Sequence, residues 1–255
     1  MYARTLPIYL ARALTPPRFA ASALVALAAL LSAACSEPTA PINSPPHVSR
    51  SSGELSTAAS NFLVLANTAV TCTDGKIAGD VGTAVAAPTG SVTQTGCPIT
   101  GQLRVGDEAA SAAFNDFLST YAARAPKPGD VCTTLTGTLA AVTLSPGSYC
   151  FDAAATLTGL LTLNGPSDGV WNFNIGTGGT GALTGTGFSV AMAGGAQACN
   201  VTWWVAQAVT MTDSNLVGTV LGGAGITLTR GTFGGNAWAK ADATITGTAV
   251  TTCAS

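Results

Sequence analysis

The sequence between Val209 and Gly247 repeats a short pattern in which two threonines flank one apolar residue. The three copies read VTMT, ITLT and ATIT, and each copy begins 17 residues after the one before it. A threonine offers a hydroxyl for hydrogen bonding beside a methyl group, so a regular set of them suits contact with a neutral, repetitive partner. The threonines of the three copies are Thr210, Thr212, Thr227, Thr229, Thr244 and Thr246.

A related segment earlier in the chain extends this repeat. VTCTDGKIAGDVG, from Val70 to Gly82, aligns without gaps with VTMTDSNLVGTVL and adds Thr71 and Thr73 to the set. If the copies stack as neighbouring strands, equivalent threonines lie about 4.8 Å apart and alternate residues of one strand about 6.7 Å apart. Such stacking makes a lattice of hydroxyl and methyl groups, although threonine is also an ordinary choice for any solvent-facing strand.

Acidic and basic residues are too scattered to predict a catalytic centre. Asp74 and Asp213 occupy equivalent positions of the repeat, which favours a role in turns, and Asp107 and Glu108 fit the start of a helix. The single histidine of the chain, His47, precedes the repeat region, so a serine or cysteine nucleophile there would lack its usual base. Polysaccharide cleavage needs paired or clustered carboxylates. We therefore expect no enzymatic activity.

Cofactor and nucleic-acid sites have little support either. GTGGTGALTGTG, from Gly176 to Gly187, is rich in glycine like a phosphate-binding loop, but no helical pattern follows it. Charged residues make up only 9% of the chain, which argues against a nucleic-acid-binding surface. Trp171, Trp203 and Trp204 could serve as sugar-stacking platforms or as core residues. We predict no cofactor, no metal ion and no nucleic-acid partner.

Seven cysteines are present, and Cys35 stands apart because it ends an apolar N-terminal segment. The remaining six permit fifteen disulfide connectivities, and three disulfides suit an exported protein in an oxidising compartment. Sequential pairing closes the shortest loops, and each bridge contributes about 2–4 kcal/mol. Zinc is the rival interpretation, but no CxxC spacing occurs. The predicted pairs are Cys72 with Cys97, Cys132 with Cys150, and Cys199 with Cys253.

Residues 1–35 have the features of an export signal. Three arginines precede FAASALVALAALL, from Phe19 to Leu31, an apolar core too short to span a bilayer comfortably. The ending LLSAAC suits ordinary signal cleavage. It also resembles a bacterial lipoprotein signal, in which Cys35 becomes the lipidated first residue and anchors the protein to a membrane.

Two further regions follow this signal. Residues 36–55 are rich in proline and serine and are predicted to form a flexible linker. Over residues 56–255, short runs of Val, Thr, Leu and Ile alternate with polar residues between glycine-rich breaks, which is the pattern of strands and turns. Repeats of this size indicate a β-solenoid domain. We expect this domain to be monomeric and exported, either secreted or anchored to the cell envelope as a lipoprotein.

One segment departs from the strand pattern and predicts a single long helix. GDEAASAAFNDFLSTYAARAPKPG places Phe114, Phe117 and Tyr121 at helical spacing. Asp107 is a suitable N-cap, and Pro126 is a natural stop. About 18 helical residues extend about 27 Å, enough to lie across about five or six stacked strands. The aromatic side chains then seal one side of the solenoid.

Several motifs occur together in a characteristic order: NFLVLANTAVTCTDGKIAGDVG, LSPGSYCF, GVWNFNIG and GAQACNVTWWV, followed by the threonine repeats. In this combination, over about residues 56–255, the sequence resembles the microbial ice-binding proteins built as a discontinuous right-handed β-helix. The resemblance implies a mainly β solenoid of triangular cross-section, with coils out of sequence order and one long α-helix packed alongside.

The resemblance also implies that one flat face adsorbs to ice. We assign that face to the six repeated threonines, with Thr71 and Thr73 as additional members. A competing face one corner away is defined by Thr219, Leu221, Asn236 and Trp238. Such a protein would inhibit ice growth and recrystallisation or tether a cell to ice. The alternative from a different class is a cell-surface adhesin or carbohydrate-binding structural module without ice activity.

Overall fold

Short parallel strands dominate the protein, which is described for residues 58–254 by a computed structural model. One α-helix, α1 (Glu108–Arg124), interrupts them, and two short 3-10 turns cover Ala59–Asn61 and Ala198–Asn200. The strands are β1 (Phe62–Ala66), β2 (Ala69–Thr73), β3 (Lys76–Ile77), β4 (Asp80–Thr83), β5 (Ser91–Thr95), β6 (Leu103–Val105), β7 (Thr133–Thr134), β8 (Val142–Leu144), β9 (Gly147–Phe151), β10 (Ala155–Asn164), β11 (Trp171–Ile175), β12 (Leu183–Ala193), β13 (Val201–Val205), β14 (Val209–Val217), β15 (Thr219–Gly222), β16 (Ile226–Gly234), β17 (Ala237–Ala239) and β18 (Ala243–Thr251).

The strands form two sheets, and the chain visits them in alternation. Sheet A has the order β6-β4-β1-β17-β15-β13-β11-β9-β7, and sheet B has the order β5-β2-β18-β16-β14-β12-β10-β8, with β3 beside β18. Adjacent strands are parallel, for example β14 with β16 and β15 with β17. From β9 to β18, each circuit of the chain therefore adds one strand to each sheet.

The spatial order of the strands differs from their order in the chain. Strand β1 lies inside sheet A, between β4 and β17. The chain proceeds from there to the edge strand β6, crosses by way of α1, and resumes at the opposite edge with β7. The later circuits then return toward β1. The mainly β fold with one helix and coils out of sequence order agrees with the expectation from the sequence.

A column of left-handed residues bends the strands of sheet B. Asp213 in β14 and Arg230 in β16 have φ angles of 50° and 57°, a conformation that side chains with a Cβ seldom adopt. Their partners in register place each bend beside the next. We call these residues the bend column: Gly96, Asp74, Gly247, Arg230, Asp213 and Gly187. Asp74 and Asp213 thus occupy equivalent bends, but the predicted role in turns does not hold for Asp213, which lies inside β14 and pairs with Arg230. The bend divides strands such as β14 into a first and a second segment.

Apolar side chains from both sheets fill the space between them. Trp171 and Trp203 are fully buried, and the Trp203 ring stacks on Phe173 with a centroid distance of 4.0 Å. The Trp203 indole donates a hydrogen bond to the Val217 carbonyl at 3.0 Å. Trp204 lies on the other side of sheet A and is only 6% exposed. Sugar stacking requires accessible ring faces, so the core interpretation of these tryptophans is the correct one.

Helix α1 covers the outer side of sheet A. Its buried residues Phe117 and Tyr121 contact Trp238 and Trp204, with ring centroids 6.1 and 5.0 Å apart. The Tyr121 hydroxyl donates to the Val205 carbonyl at 3.0 Å, and its burial raises the pKa of Tyr121 to about 12. The predicted aromatic stripe is therefore the surface that seals the helix onto the sheet.

Three disulfides hold the ends and edges of this structure. They join Cys72 to Cys97, Cys132 to Cys150, and Cys199 to Cys253, which is the sequential pairing expected from the sequence. The first connects neighbouring strands at the edge that contains β5, and the third ties the C-terminal segment to the 3-10 turn before β13. The first two therefore limit fraying near the edges of the sheets, whereas the third fixes the C-terminal segment.

The predicted export signal, the lipidation of Cys35 and the linker over residues 36–55 lie outside the described residues. Within residues 58–254, α1 and the other helical segments are too short or too polar to cross a bilayer.

The N-cap of α1 should contribute measurably to the stability of the domain. The Asp107 carboxylate accepts a hydrogen bond from the Ala110 amide at 2.8 Å and another from Arg104. These bonds, that of Ala110 first, lower the pKa of Asp107 below its ordinary value of 3.8. We expect Asp107→Ala to lower the free energy of unfolding by about 0.5–2 kcal/mol at neutral pH, measured by denaturant titration.

This stabilisation depends on pH in a defined direction. Because the folded-state pKa is depressed, the contribution is complete above the unfolded pKa of about 4 and is lost as the pH falls through the folded value. The difference in the free energy of unfolding between Asp107→Ala and the wild type should become smaller at acidic pH. Asn115→Ala, exposed in the middle of the same helix, is the control and should leave the stability unchanged or slightly raised. Equal stabilities of the wild type and Asp107→Ala at pH 7 would contradict the capping role.

The packing of α1 on sheet A should contribute more to the stability than its N-cap does. Trp238 is fully buried beneath the helix, and its indole donates to the Phe62 carbonyl at 2.9 Å. Trp238→Ala removes a large side chain from a closed site and should lower the free energy of unfolding by about 3–5 kcal/mol. Thermal and denaturant unfolding measure this loss. A change below about 1 kcal/mol, the range of exposed positions, would show that the helix does not pack closely there.

Candidate functional site

The six threonines predicted as a surface lie together on the outer side of sheet B. In the first segments of β14, β16 and β18, Thr210 is in register with Thr227, and Thr227 with Thr244. Thr212, Thr229 and Thr246 form a second column in the same way. All six are partly or fully exposed. The 17-residue spacing of the repeat is therefore the length of one circuit.

Thr71 and Thr73 continue these two columns across the junction between the ends of the domain. Strand β2 pairs with β18, which places Thr71 beside Thr244 and Thr73 beside Thr246. The early copy of the repeat is thus the spatial neighbour of the last copy. The structure brings together all eight threonines that the sequence analysis assigned to one surface.

Five further threonines that the sequence analysis missed extend the columns in both directions. They lie on β5, β12 and β10, in register with the threonines already described. The missed residues are Thr93, Thr95, Thr184, Thr186 and Thr156. The signal that would have found them is the threonine pattern itself, in SVTQT, LTGTG and ATLT. Its spacing along the chain is irregular there.

We call the complete set the threonine array. One column contains seven threonines and the other contains six, over seven neighbouring strands. The array comprises Thr156, Thr184, Thr210, Thr227, Thr244, Thr71 and Thr93 in one column and Thr186, Thr212, Thr229, Thr246, Thr73 and Thr95 in the other. With about 4.8 Å between strands, it extends about 29 Å along the stack.

The residues between the threonines anchor the array to the core. Met211, Leu228 and Ile245 point inward and are at most 3% exposed. Gly185 occupies the equivalent position on β12, where a Cβ would lie 2.3 Å from the Met211 methyl carbon. Because alternate residues face opposite sides of a strand, this closely packed inner row fixes the outward direction of the threonines.

The array contains no charged residue. At its border, the two charges beside Thr212 and Thr229 neutralise each other, and Asp74 of the bend column adds one exposed acidic side chain. Arg230 and Asp213, in the bend column, form a bidentate ion pair in which Nη2 donates to Oδ2 at 2.8 Å. The hydrogen bond from Arg230 lowers the pKa of Asp213, and the same bond raises the pKa of Arg230. Both groups therefore remain ionised near neutral pH, and the pair adds no net charge to the surface.

The second segments of sheet B form another outward surface with a mixed composition. One of its columns contains Ser189, Asn215 and Thr232, whose side chains hydrogen-bond to one another at 3.1 and 2.8 Å. The column continues through Ala249 to Lys76. These polar groups are occupied by one another, and the chemistry changes from strand to strand.

The competing face proposed on sheet A is not an open surface. Leu221 and Trp238 are fully buried beneath α1, and Thr219 is only 3% exposed. The Asn236 side chain is half-buried and donates to the Phe62 carbonyl at 2.8 Å. That interpretation was wrong because the helix lies on this part of the sheet. The surface that does compete with the array is formed by the second segments.

Residues 58–254 contain no group of three His, Cys, Asp or Glu side chains that could hold a metal ion. A cavity of about 560 Å³ lies beyond the end of α1, beside Lys127, Asp130 and Asn174. It is not lined by any threonine of the array. The threonine array is therefore the candidate binding surface.

Known proteins are similar to this chain in sequence and in fold. Residues 64–251 match the ice-binding-like protein family. An ice-binding protein of Typhula ishikariensis is 30% identical over 191 residues, which cover 66% of this chain and 76% of that protein.

Two solved structures show the same fold. The crystal structure of an ice-binding protein from the Antarctic ascomycete Antarctomyces psychrotrophicus is 33% identical, with a TM-score of 0.68, and the match covers 76% of this chain and 96% of that one. A domain of a Shewanella frigidimarina ice-binding protein is 26% identical, with a TM-score of 0.69, over 79% of this chain and 97% of that one. Because the family match spans nearly all of the described strands, the chain belongs to the ice-binding-like family.

Proposed function

We propose that this protein adsorbs to ice through the threonine array and thereby inhibits ice growth and recrystallisation. The observation that carries the proposal is the register of the thirteen threonines over seven strands. The ice-binding proteins among its relatives support the choice of ice as the partner. The site residues proposed are the six repeated threonines, Thr71 and Thr73, and the five threonines that extend their columns.

The proposal includes a finer description of the fold as a right-handed β-solenoid of triangular cross-section. Each later circuit contributes three extended pieces: a strand of sheet A and the two segments of a sheet B strand, which meet at the bend column. Three pieces per circuit suit a triangular section. Parallel strands connected through a crossover are right-handed in nearly all proteins, which supports the handedness.

The physical demands of ice as a ligand match what the array offers. An ice surface carries no charge and has no pocket, but it presents a regular lattice of water molecules. Each protein–water hydrogen bond adds only about 1 kcal/mol or less, so adsorption needs many contacts made together. A rigid array loses less entropy on binding than a mobile one. Parallel strands and three disulfides supply that rigidity here.

The array suits ice better than the second-segment surface for two reasons. Within residues 58–254, its hydroxyls form no hydrogen bonds with other protein groups, so all of them are available to water. By contrast, the Asn215 side chain bonds to both Ser189 and Thr232. The array also repeats one residue type, whereas the other surface ends at Lys76.

The proposal for the whole chain combines this domain with the predicted N-terminal regions. A signal over residues 1–35, with lipidation of Cys35, and a linker over residues 36–55 would hold a monomeric domain, residues 56–255, at the cell envelope. The protein would then attach a cell to ice. Without lipidation, the same domain would be secreted. We propose no catalytic activity, cofactor or metal for it.

Bulky substitutions inside and outside the array test the assignment of the surface. Thr227→Tyr or Thr229→Tyr should abolish most of the thermal hysteresis and the inhibition of recrystallisation, because one large ring separates the neighbouring hydroxyls from the ice lattice. Thr232→Tyr lies on the same strand, β16, but beyond the bend, and is the matched control. It should keep the wild-type activity. Reversed results for Thr229→Tyr and Thr232→Tyr would move the site to the second segments.

Ice assays of the wild-type domain distinguish ice binding from the adhesin alternative. Purified residues 56–255 should shape ice crystals and inhibit recrystallisation at concentrations where an unrelated disulfide-containing protein does not. A folded domain without any ice activity but with sugar binding would instead favour the adhesin or carbohydrate-binding alternative.

The contribution of the N-terminal strands is a separate prediction. Thr71 on β2 belongs to the array only because β2 pairs with β18, so Thr71→Tyr should reduce the activity as strongly as Thr244→Tyr. Ice-recrystallisation assays at matched concentrations of folded protein measure both. Full activity of Thr71→Tyr together with loss of activity in Thr244→Tyr would limit the site to the C-terminal circuits.

A further inference from the structure

The ion pair between Asp213 and Arg230 lies at the border of the threonine array, near its centre. Asp213 directly follows Thr212 in β14, and Arg230 directly follows Thr229 in β16. Thr212 and Thr229 face each other in register. Strand β16 has three array strands on either side of it. The ion pair therefore connects β14 and β16 directly after two threonines at the centre of the array.

Local conformation alone would favour glycine at both positions. The bend column requires a left-handed backbone, and glycine fills it at Gly96, Gly187 and Gly247. Asp and especially Arg adopt this conformation less readily, because their Cβ approaches the following carbonyl group. Two adjacent circuits nevertheless place oppositely charged residues there. Asp74 takes the same conformation without an ion pair among the described residues, so an aspartate alone needs no compensation there. The arginine opposite an aspartate on the adjacent circuit indicates a contribution from the side chains that offsets the backbone conformation.

The geometry of the pair shows what that contribution is. The guanidinium is planar, and two of its nitrogens, Nε and Nη2, donate to the two carboxylate oxygens of Asp213. A bidentate bond of this kind fixes the orientation of both groups as well as their distance. It connects neighbouring circuits at the point where the first segments end. The glycine positions of the column have no side chains that could make such a connection.

We infer that Asp213 and Arg230 are positioning residues for ice adsorption. The strand pairing sets the register of Thr212 and Thr229, and the ion pair limits the motion between them at the centre of the array. The inference rests on the proposed function, since the pair acts through the threonines. Because the contacts with ice must form together, motion between β14 and β16 at the centre of the array weakens the contacts made by the threonines on both sides. The pair itself stays hydrated at the rim.

The test replaces the pair by the residue that the bend prefers. An Asp213→Gly/Arg230→Gly double variant relieves the left-handed strain and should unfold at the same temperature as the wild type or higher. It should nevertheless lose about half or more of the thermal hysteresis, because the central rungs are no longer preorganised. Side-chain couplings measured by NMR should show one χ1 rotamer for Thr212 and Thr229 in the wild type and averaging in the variant.

A charge exchange separates the pair from its individual residues. Asp213→Arg alone places two arginines on adjacent circuits and should reduce the activity, whereas the Asp213→Arg/Arg230→Asp variant restores the ion pair and should recover it. Wild-type hysteresis in the double glycine variant, or no recovery in the exchange variant, overturns this inference alone. An inactive wild type measured in parallel overturns the proposed function and this inference with it.

Discussion

The one-to-one register of parallel strands is the constraint on which the rest of this structure depends. Because β14, β16 and β18 are parallel and hydrogen-bonded in register, a residue type repeated once per circuit becomes a straight column in space. The same register aligns the inner row of Met211, Leu228 and Ile245 and the bend column. A shift by one residue would turn the threonines into the core and the apolar row into water. Core packing and surface order are therefore two results of one alignment.

The crossing by α1 gives the array a mixed origin in the chain. The helix carries the chain from the β6 edge toward the β7 edge, and the later circuits return until β17 and β18 meet β1 and β2. Threonines from both ends of the domain thus become neighbours. This junction needs long-range pairing, so distant segments of the chain must come together before its contacts can form. The disulfide between Cys72 and Cys97 secures the early circuits beside it.

Local features of the fold could be predicted from the sequence because they depend on neighbouring residues. Asp107 and the helix that ends at Arg124 follow from capping and periodicity, and the 17-residue spacing places Thr210, Thr227 and Thr244 in one column. Thr184 escaped prediction because 26 residues separate it from Thr210. The connection that follows β12 is longer, so equal spacing fails although the strands still pair. The burial of Trp238 was also missed, because only the spatial order of the strands reveals where α1 lies.

The position of β1 inside sheet A also decides where other molecules can be joined to the domain. The described chain enters through the 3-10 turn before β1 and leaves after β18. Both places lie at the seam between the second segments and sheet A, where Gly235 donates to the carbonyl of Thr251. The threonine array does not border this seam. A fluorescent protein, a surface anchor or a solid support attached at either end would therefore leave the array unobstructed.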